Sequence, residues 1–174
     1  LPNVLKNMKQ KRQGKIIYFQ PKSLRQRALD YLGKREYSYV ELGKKLKPFA
    51  EETDDIAAIL DDFKARGWLS DARFTEQLVH ARQAKFGSAR VANELREKGV
   101  ADDLIASAVA TVKENELEHA REICRKKYKD SHKSREDWAR QARFLQSRGF
   151  GFDIIKKALN DHSNEQSNEE ASDK

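Results

Sequence analysis

The chain has 174 residues, of which 36% are charged and 38% belong to the apolar class, with a formal net charge of +7. A high charged fraction beside a modest apolar fraction favours an elongated body with a large surface over a compact globule. The single cysteine, Cys124, excludes an intramolecular disulfide framework, and no apolar run approaches the length of a membrane span. We therefore expect a soluble, cytoplasmic protein that carries no secretory signal.

The positive charge is unevenly distributed. Residues 1–27 carry +8 without a single acid, and residues 161–174 carry −4, which leaves +3 for the part between them. We predict a basic N-terminal arm over residues 1–22 and a disordered acidic tail over residues 161–174. A basic arm is typical of proteins that meet nucleic acid, although a solvated terminus has the same composition. Within the arm, residues 16–19 could form a short strand-like anchor or belong to a loose segment.

From Ser23 onward the apolar residues recur at helical spacing, and no alternating β pattern competes with them. Three helices are predicted first. Ser38 and Glu41 have the spacing of a capping box and open the second of them. Thr53 is expected to cap the third helix, which Gly67 ends.

The next helices are marked by serine, aspartate and glycine. Ser70 or Asp71 is expected to cap the fourth helix, residues 87–88 separate it from the fifth, and Gly99 ends the fifth. A sixth helix follows over residues 102–112.

The last third of the chain repeats this pattern from about residue 114. Ser134 is expected to cap a helix that Gly149 ends, and residues 152–159 form the last helix. The sequence thus predicts nine helices in three groups of three.

Three segments of the chain echo one another. Residues 35–46 align with residues 84–95, and a third copy begins at residue 126; each copy leads into a helix that ends on leucine. Self-similarity at a period of about 50 residues predicts stacked units that cannot bury their apolar faces alone. We expect an all-α fold of tandem three-helix repeats in an elongated, curved body, with repeat 1 at 23–69, repeat 2 at 70–112 and repeat 3 at 113–160.

The residues that carry chemistry form no recognisable active site. The four histidines are scattered, and Cys124 has no neighbouring pair of ligands, so we expect no metal site. The Gly-Lys pairs at 33–34 and 43–44 lack the remainder of a phosphate-binding loop. Cys124 also falls on an apolar stripe, where a cysteine acts as a small core residue. We predict a protein without enzymatic activity and without a cofactor.

Two charged blocks remain to be explained. Residues 121–148 carry ten bases against four acids, whereas residues 51–62 carry six acids and no base. A local excess of +6 raises the attraction to phosphate, so we favour a functional surface for the basic block over a merely solvated helix face. A chain polarised in this way would orient in the field of a charged partner.

Several motifs resemble the RecX family of bacterial regulators of the RecA recombinase. The central match is Ser-Asp-Ala-Arg-Phe at 70–74, followed by Arg82, Phe-Gly at 86–87 and Lys-Gly-Val at 98–100. Residues 27–46 resemble the opening repeat of the family. Arg-Lys-Lys-Tyr at 125–128 and Arg-Gly-Phe at 148–150 resemble its last repeat. The resemblance spans about residues 24–160 and is spread over many positions.

The resemblance implies an all-α, curved body of tandem three-helix repeats that has no enzymatic activity. Members of the family bind the RecA–single-stranded DNA filament along its groove. They lower its ATP hydrolysis, strand exchange and co-protease activity, which affects recombinational repair and the SOS response. Some members modulate RecA positively, and direct DNA binding is also associated with the family.

A basic surface is expected to contact RecA or DNA, and we expect the protein to act as a monomer away from membranes. Its candidate residues are Lys22, Arg25, Arg27, Arg73, Arg82, Lys98, Lys126, Lys127, Arg135, Arg140, Arg143 and Arg148. The alternative is a helical protein that binds DNA or RNA directly through the arm and residues 121–148. Tight, salt-dependent binding to bare DNA would favour that alternative.

Overall fold

The computed structural model describes residues 10–12, 15–17, 22–128 and 134–160, and these are almost entirely helical. Nine α-helices lie in this part of the chain, as the periodicity predicts. They are α1 (Leu24–Leu32), α2 (Tyr39–Leu46), α3 (Ile56–Ala65), α4 (Asp71–Arg82), α5 (Ser88–Glu97), α6 (Asp102–Glu114), α7 (Glu116–Lys127), α8 (Arg135–Ser147) and α9 (residues 152–160). A 3₁₀ turn, Lys47–Phe49, follows α2.

The helices form three units, each with its own apolar core. Unit 1 (α1–α3) is built around Leu42, Leu46 and Phe63, all fully buried. Unit 2 (α4–α6) buries Val91, Leu95 and Val112, among others. The core of unit 3 (α7–α9) contains Ala120, Cys124, Leu145, Ala158 and Leu159. The predicted architecture of tandem three-helix repeats is therefore confirmed.

Serine caps open three of the helices where the sequence predicts them. The hydroxyls of Ser38, Ser70 and Ser134 each accept a hydrogen bond from the backbone N–H three residues further on. The Glu41 carboxylate does not complete the capping box, because it binds Arg35 and Lys98 instead.

The prediction that Thr53 caps α3 is wrong. Asp55 is the cap, since its carboxylate accepts a hydrogen bond from the Ala58 N–H at 3.0 Å. Residues 51–54 form a turn instead, closed by the bond from the Glu51 N–H to the Asp54 carboxylate at 2.8 Å. This turn moves the start of the helix beyond Thr53.

Two short strands precede the helices. Strand β1 (Gln10–Arg12) pairs antiparallel with β2 (Lys15–Ile17), and Gln10 lies opposite Ile17. The strand-like segment considered for residues 16–19 thus begins one residue earlier. The other residues of the predicted arm before Lys22, the connection 129–133 and the predicted acidic tail 161–174 lie outside the described residues.

One type of junction joins successive units twice. The turn after the middle helix of unit 2 contains Gly99, and the equivalent turn of unit 3 contains Gly149; both glycines have positive φ angles, 74° and 85°. The start of the preceding unit's middle helix packs on each turn. A Cβ on Gly99 would lie 2.8 Å from the Val40 Cβ atom, and one on Gly149 would lie 2.6 Å from the Arg90 backbone nitrogen. Each junction therefore requires glycine for backbone conformation and for close approach.

A carboxylate completes each junction. The Tyr39 N–H at the start of α2 donates to the Asp71 carboxylate at 2.8 Å, and the Ser88 N–H at the start of α5 donates to the Glu116 carboxylate at 2.7 Å. Asp71 and Glu116 are each the first residue of the next unit's first helix. Each carboxylate thus satisfies a free N–H of the neighbouring unit and faces the positive end of its helix dipole. Glu116 is only 4% exposed and also accepts from the Ser88 hydroxyl at 3.2 Å.

Candidate interface across units 2 and 3

The junction between units 2 and 3 is held by backbone groups and by two arginines. The Gly87 N–H donates to the Arg148 carbonyl at 3.0 Å. In return, the Arg148 guanidinium donates to the Lys85 carbonyl at 3.1 Å, and the Arg90 guanidinium donates to the Ser147 carbonyl at 3.3 Å. The two arginines are thereby fixed at the seam with their charges near the surface.

These arginines belong to a row of cations and aromatic rings, which we call the cation–aromatic ladder: Lys127, Phe144, Arg148, Phe86 and Arg90. The Lys127 ammonium lies 3.8 Å from the centre of the Phe144 ring, and the Arg148 guanidinium lies 4.6 Å from the same centre. Arg148 and Arg90 lie 5.7 and 4.8 Å from the centre of the Phe86 ring. These distances are those of cation–π interactions. The ladder therefore runs continuously from α7 and α8 of unit 3 to α5 of unit 2.

The cations of the ladder keep their positive charge available. Within the described part of the chain, no carboxylate forms an ion pair with Lys127, Arg148 or Arg90. Aromatic rings attract a cation without neutralising it. The ladder thus presents three cations and two half-buried aromatic rings on one surface, a combination suited to phosphate and to flat, electron-rich groups.

Seven of the twelve candidate residues form ion pairs within the chain. The Arg82 guanidinium binds Glu94, and the Arg73 guanidinium binds Glu36; in each case the hydrogen bond to the carboxylate raises the pKa of the arginine. The full set of pairs is Lys22–Asp30, Arg25–Asp62, Arg73–Glu36, Arg82–Glu94, Lys98–Glu41, Lys126–Glu122 and Arg140–Asp137. Their partial neutralisation makes these residues weaker anion ligands than a count of charges suggests.

The other five candidates have no carboxylate partner among the described residues. Lys127 and Arg148 belong to the ladder. The Arg27 guanidinium lies 4.2 Å from the centre of the Phe49 ring in unit 1. Arg135 and Arg143 are exposed on α8. The structure thus brings Lys127 and Arg148 together but leaves Arg27 in another unit.

Sequence reasoning missed Arg90, Phe86 and Phe144 as members of this surface. Arg90 stands outside the basic block, and an aromatic residue at helical spacing indicates core more often than surface. The sequence does contain a signal, because Phe86 and Phe144 each have an arginine four residues before and four residues after them.

The acidic run in unit 1 is largely engaged in local structure. Asp54 and Asp55 bind backbone N–H groups at the start of α3. Asp62 accepts from both Arg66 and Arg25, and these hydrogen bonds lower the pKa of its carboxyl group. Only part of the predicted negative surface is therefore available to a partner.

The described residues contain no group of three or more His, Cys, Asp or Glu side chains that could hold a metal ion. Cys124 is fully buried in the core of unit 3, and burial raises the pKa of its thiol to about 11. A thiol with so high a pKa is a poor nucleophile at neutral pH. No helix in the described ranges is long and apolar enough to cross a membrane.

These features define a class: a tandem helical-repeat protein with a row of cations and aromatic rings that crosses from one unit to the next. Two family models match the chain, described as "RecX, second three-helix domain" over residues 70–109 and "RecX, third three-helix domain" over residues 114–159. A relative named "Regulatory protein RecX" from Leptothrix cholodnii is 43% identical over 148 residues, which cover 84% of this chain and 94% of the relative. A relative of the same name from Herbaspirillum seropedicae is 42% identical over 139 residues, which cover 80% of this chain and 90% of the relative.

The chain therefore belongs to the RecX family of regulatory proteins. Its fold also matches a crystal structure of RecX from Lactobacillus salivarius, with a TM-score of 0.67 at 20% identity over 79% of this chain and 93% of that one. A second crystal structure, described as regulatory protein RecX, matches with a TM-score of 0.69 at 21% identity, over 79% of this chain and 71% of that one.

Proposed function

We propose that this protein is a non-enzymatic regulator that binds the RecA–single-stranded DNA filament along its groove and inhibits it. The inhibited activities are ATP hydrolysis, strand exchange and co-protease activity, so that the protein acts in recombinational repair and the SOS response. It works in the cytoplasm, as a monomer and without a cofactor. The proposal extends the regulatory role of the family to a particular partner and surface.

The repeated junction is the observation that carries the proposal. Contacts of the same kind join unit 1 to unit 2 and unit 2 to unit 3, since in each a carboxylate accepts from a helix start and a glycine packs closely against that helix. A filament groove also repeats along its axis, so linked units can contact equivalent sites in turn. Each contact can be weak, since the linkage raises the effective concentration of the next unit.

Charge supports a role for unit 3 as the part nearest the DNA. Lys127 and Arg148 of the ladder and the exposed Arg143 pair with no carboxylate in the part of the chain that the structure describes. Cations held in this way attract phosphate and steer association, and both effects weaken as salt rises.

The test follows ATP hydrolysis by RecA on single-stranded DNA with this protein at stoichiometric amounts. We expect inhibition by the wild-type protein and a weaker effect of an Arg135→Glu/Arg143→Glu variant with unchanged helical content, since neither arginine pairs with a described carboxylate. Arg148 is left intact, since reversing it would also break its bond to the Lys85 carbonyl. A Lys44→Glu/Lys45→Glu variant changes the net charge equally in unit 1 and serves as the control.

Unchanged ATP hydrolysis with the wild-type protein would refute the proposed function. Equal inhibition by both double variants would refute the placement of the surface on unit 3.

The alternative function is direct binding of DNA or RNA by a helical protein that acts without RecA. Lys127, Arg143 and Arg148 favour this alternative, because they pair with no described carboxylate and could bind phosphate without a protein partner. It predicts tight binding to bare DNA with a steep salt dependence. Weak, salt-insensitive binding to bare DNA beside strong filament binding would select the RecA regulator.

A further inference from the structure

A second aromatic surface lies on unit 3, between α8 and α9. Phe152 is 67% exposed, more than any other large apolar side chain in the described part of the chain. Its ring contacts the Trp138 ring edge to face, with 6.4 Å between the ring centres. Together they line a groove of about 260 Å³, to which Ala142, Phe150 and Ile155 also contribute. Phe152 and Trp138 thus form a contiguous exposed apolar patch, which is the kind of surface that marks a binding site.

One charged residue lines this groove, and it is a cation. Arg143 is exposed and forms no ion pair with a described carboxylate. The nearby Asp137 is engaged by Arg140 at 2.6 Å, and Asp153 lies beside Phe152 in the sequence without lining the groove. The groove thus combines an apolar, aromatic interior with a positive edge.

We propose that this groove binds an unstacked base of single-stranded DNA. Aromatic rings and arginine planes are the surfaces on which such bases stack, and the phosphate beside each base needs a cation within reach. Trp138 and Phe152 supply the stacking surface, and Arg143 supplies the cation. An apolar side chain of a protein partner would fill the interior but would leave the positive edge unmatched.

Two consequences follow from this assignment. Bases in a duplex are stacked on their neighbours and cannot enter, so the groove prefers single strands. The groove also contacts the flat face of a base by stacking. It should therefore bind an oligonucleotide that has bases more tightly than a sugar–phosphate chain of equal charge. The assignment rests on the direct contact with DNA that the proposed function includes, but its test requires no RecA.

The experiment uses the full chain with Trp68→Phe, which leaves Trp138 as the only tryptophan. Its fluorescence is titrated with oligothymidylate and with an abasic oligonucleotide of the same length. We expect oligothymidylate to quench Trp138 and to bind more tightly than the abasic chain. Adding Phe152→Ala should weaken oligothymidylate binding by roughly five- to a hundredfold and leave abasic binding unchanged.

A Phe49→Ala variant is the matched control, because Phe49 is 44% exposed and also lies beside an arginine, but in unit 1. It should bind both oligonucleotides like its parent. Equal binding of the two oligonucleotides, or unchanged oligothymidylate binding after Phe152→Ala, would overturn the assignment. Quenching of Trp138 by RecA protein alone and not by oligothymidylate would also overturn it, in favour of a protein partner. Inhibition of RecA by the Phe152→Ala variant tests the proposed function separately.

Discussion

The junction between units 2 and 3 requires glycine for two reasons, a positive φ angle and close packing. Three glycine-to-alanine substitutions separate the two effects. Gly149 has a φ of 85°, and a Cβ there would lie 2.6 Å from the Arg90 nitrogen. Gly87 has an ordinary φ of −75°, but its Cβ would lie 2.6 Å from the Phe150 Cα atom and closer still to the Gly149 carbonyl. Gly67, with a φ of 72°, has nothing within 4 Å of an added Cβ.

The expected losses follow from these geometries. A left-handed conformation costs a non-glycine residue about 1–2 kcal/mol, so Gly67→Ala should lower the free energy of unfolding by that amount. Gly87→Ala introduces a steric conflict without backbone strain. Overpacking of this kind should lower the free energy of unfolding by about 1–3 kcal/mol. Gly149→Ala combines both and should cost about 2–5 kcal/mol.

Urea unfolding followed by circular dichroism measures these losses, and the change in melting temperature checks them at about 2–4 °C per kcal/mol for a chain of this size. A lower slope in urea for Gly149→Ala would show that unit 3 has separated from unit 2 before the rest unfolds. If Gly149→Ala is no more destabilising than Gly67→Ala, the close packing of the junction contributes nothing to the free energy of unfolding, contrary to this prediction.

Three further predictions concern pH, thiol chemistry and the chain end. Burial alone would raise the pKa of Glu41, but hydrogen bonds from Arg35 and Lys98 outweigh it and lower the pKa. The ionised Glu41 therefore stabilises the fold at pH values above the pKa that it has in the unfolded chain, and this stabilisation is lost as the pH falls through its lower pKa in the folded protein. The Glu41→Gln variant should accordingly show a smaller loss of stability between neutral and acidic pH than the wild-type protein. Cys124 should react with a thiol reagent at mildly alkaline pH only at the rate of unfolding, and fast labelling of the native protein would contradict its burial. Deleting residues 162–174 should change the melting temperature little; a large drop would show that the tail is packed.

The sequence predicted the helices well because the signals involved are local. Apolar spacing, serine caps at Ser38 and Ser134, and glycines at the ends of α5 and α8 depend on residues within one or two turns. The error at Thr53 has the same origin, because its two neighbours Asp54 and Asp55 can also cap a helix. Asp55 becomes the cap because the hydrogen bond from the Glu51 N–H to the Asp54 carboxylate closes a turn just before it. The spacing of apolar residues gives no indication of that turn.

The candidate site was less predictable because its contacts cross units. Counting charges identified Lys127 and Arg148, but the structure alone shows which cations are neutralised. Arg82 and Arg73, for example, bind carboxylates 12 and 37 residues away. Phe86 lies beside Arg148 because of the junction between units 2 and 3. A repeat pattern predicts that neighbouring units pack together, but it does not predict which side chains meet where they do.

The repeated junction gives the chain a direction. Asp71 and Glu116 begin the first helices of units 2 and 3, but Leu24 begins that of unit 1, and Ala50 stands where the later units have Gly99 and Gly149. Unit 1 therefore lacks both groups by which units 2 and 3 contact the unit before them, and it resembles a capping repeat in this respect. At the opposite end, the start of α8 is headed by the exposed Ser134 and contacts no further unit among the described residues. An array whose two ends differ in this way is polar, so on a polar filament its two orientations are not equivalent.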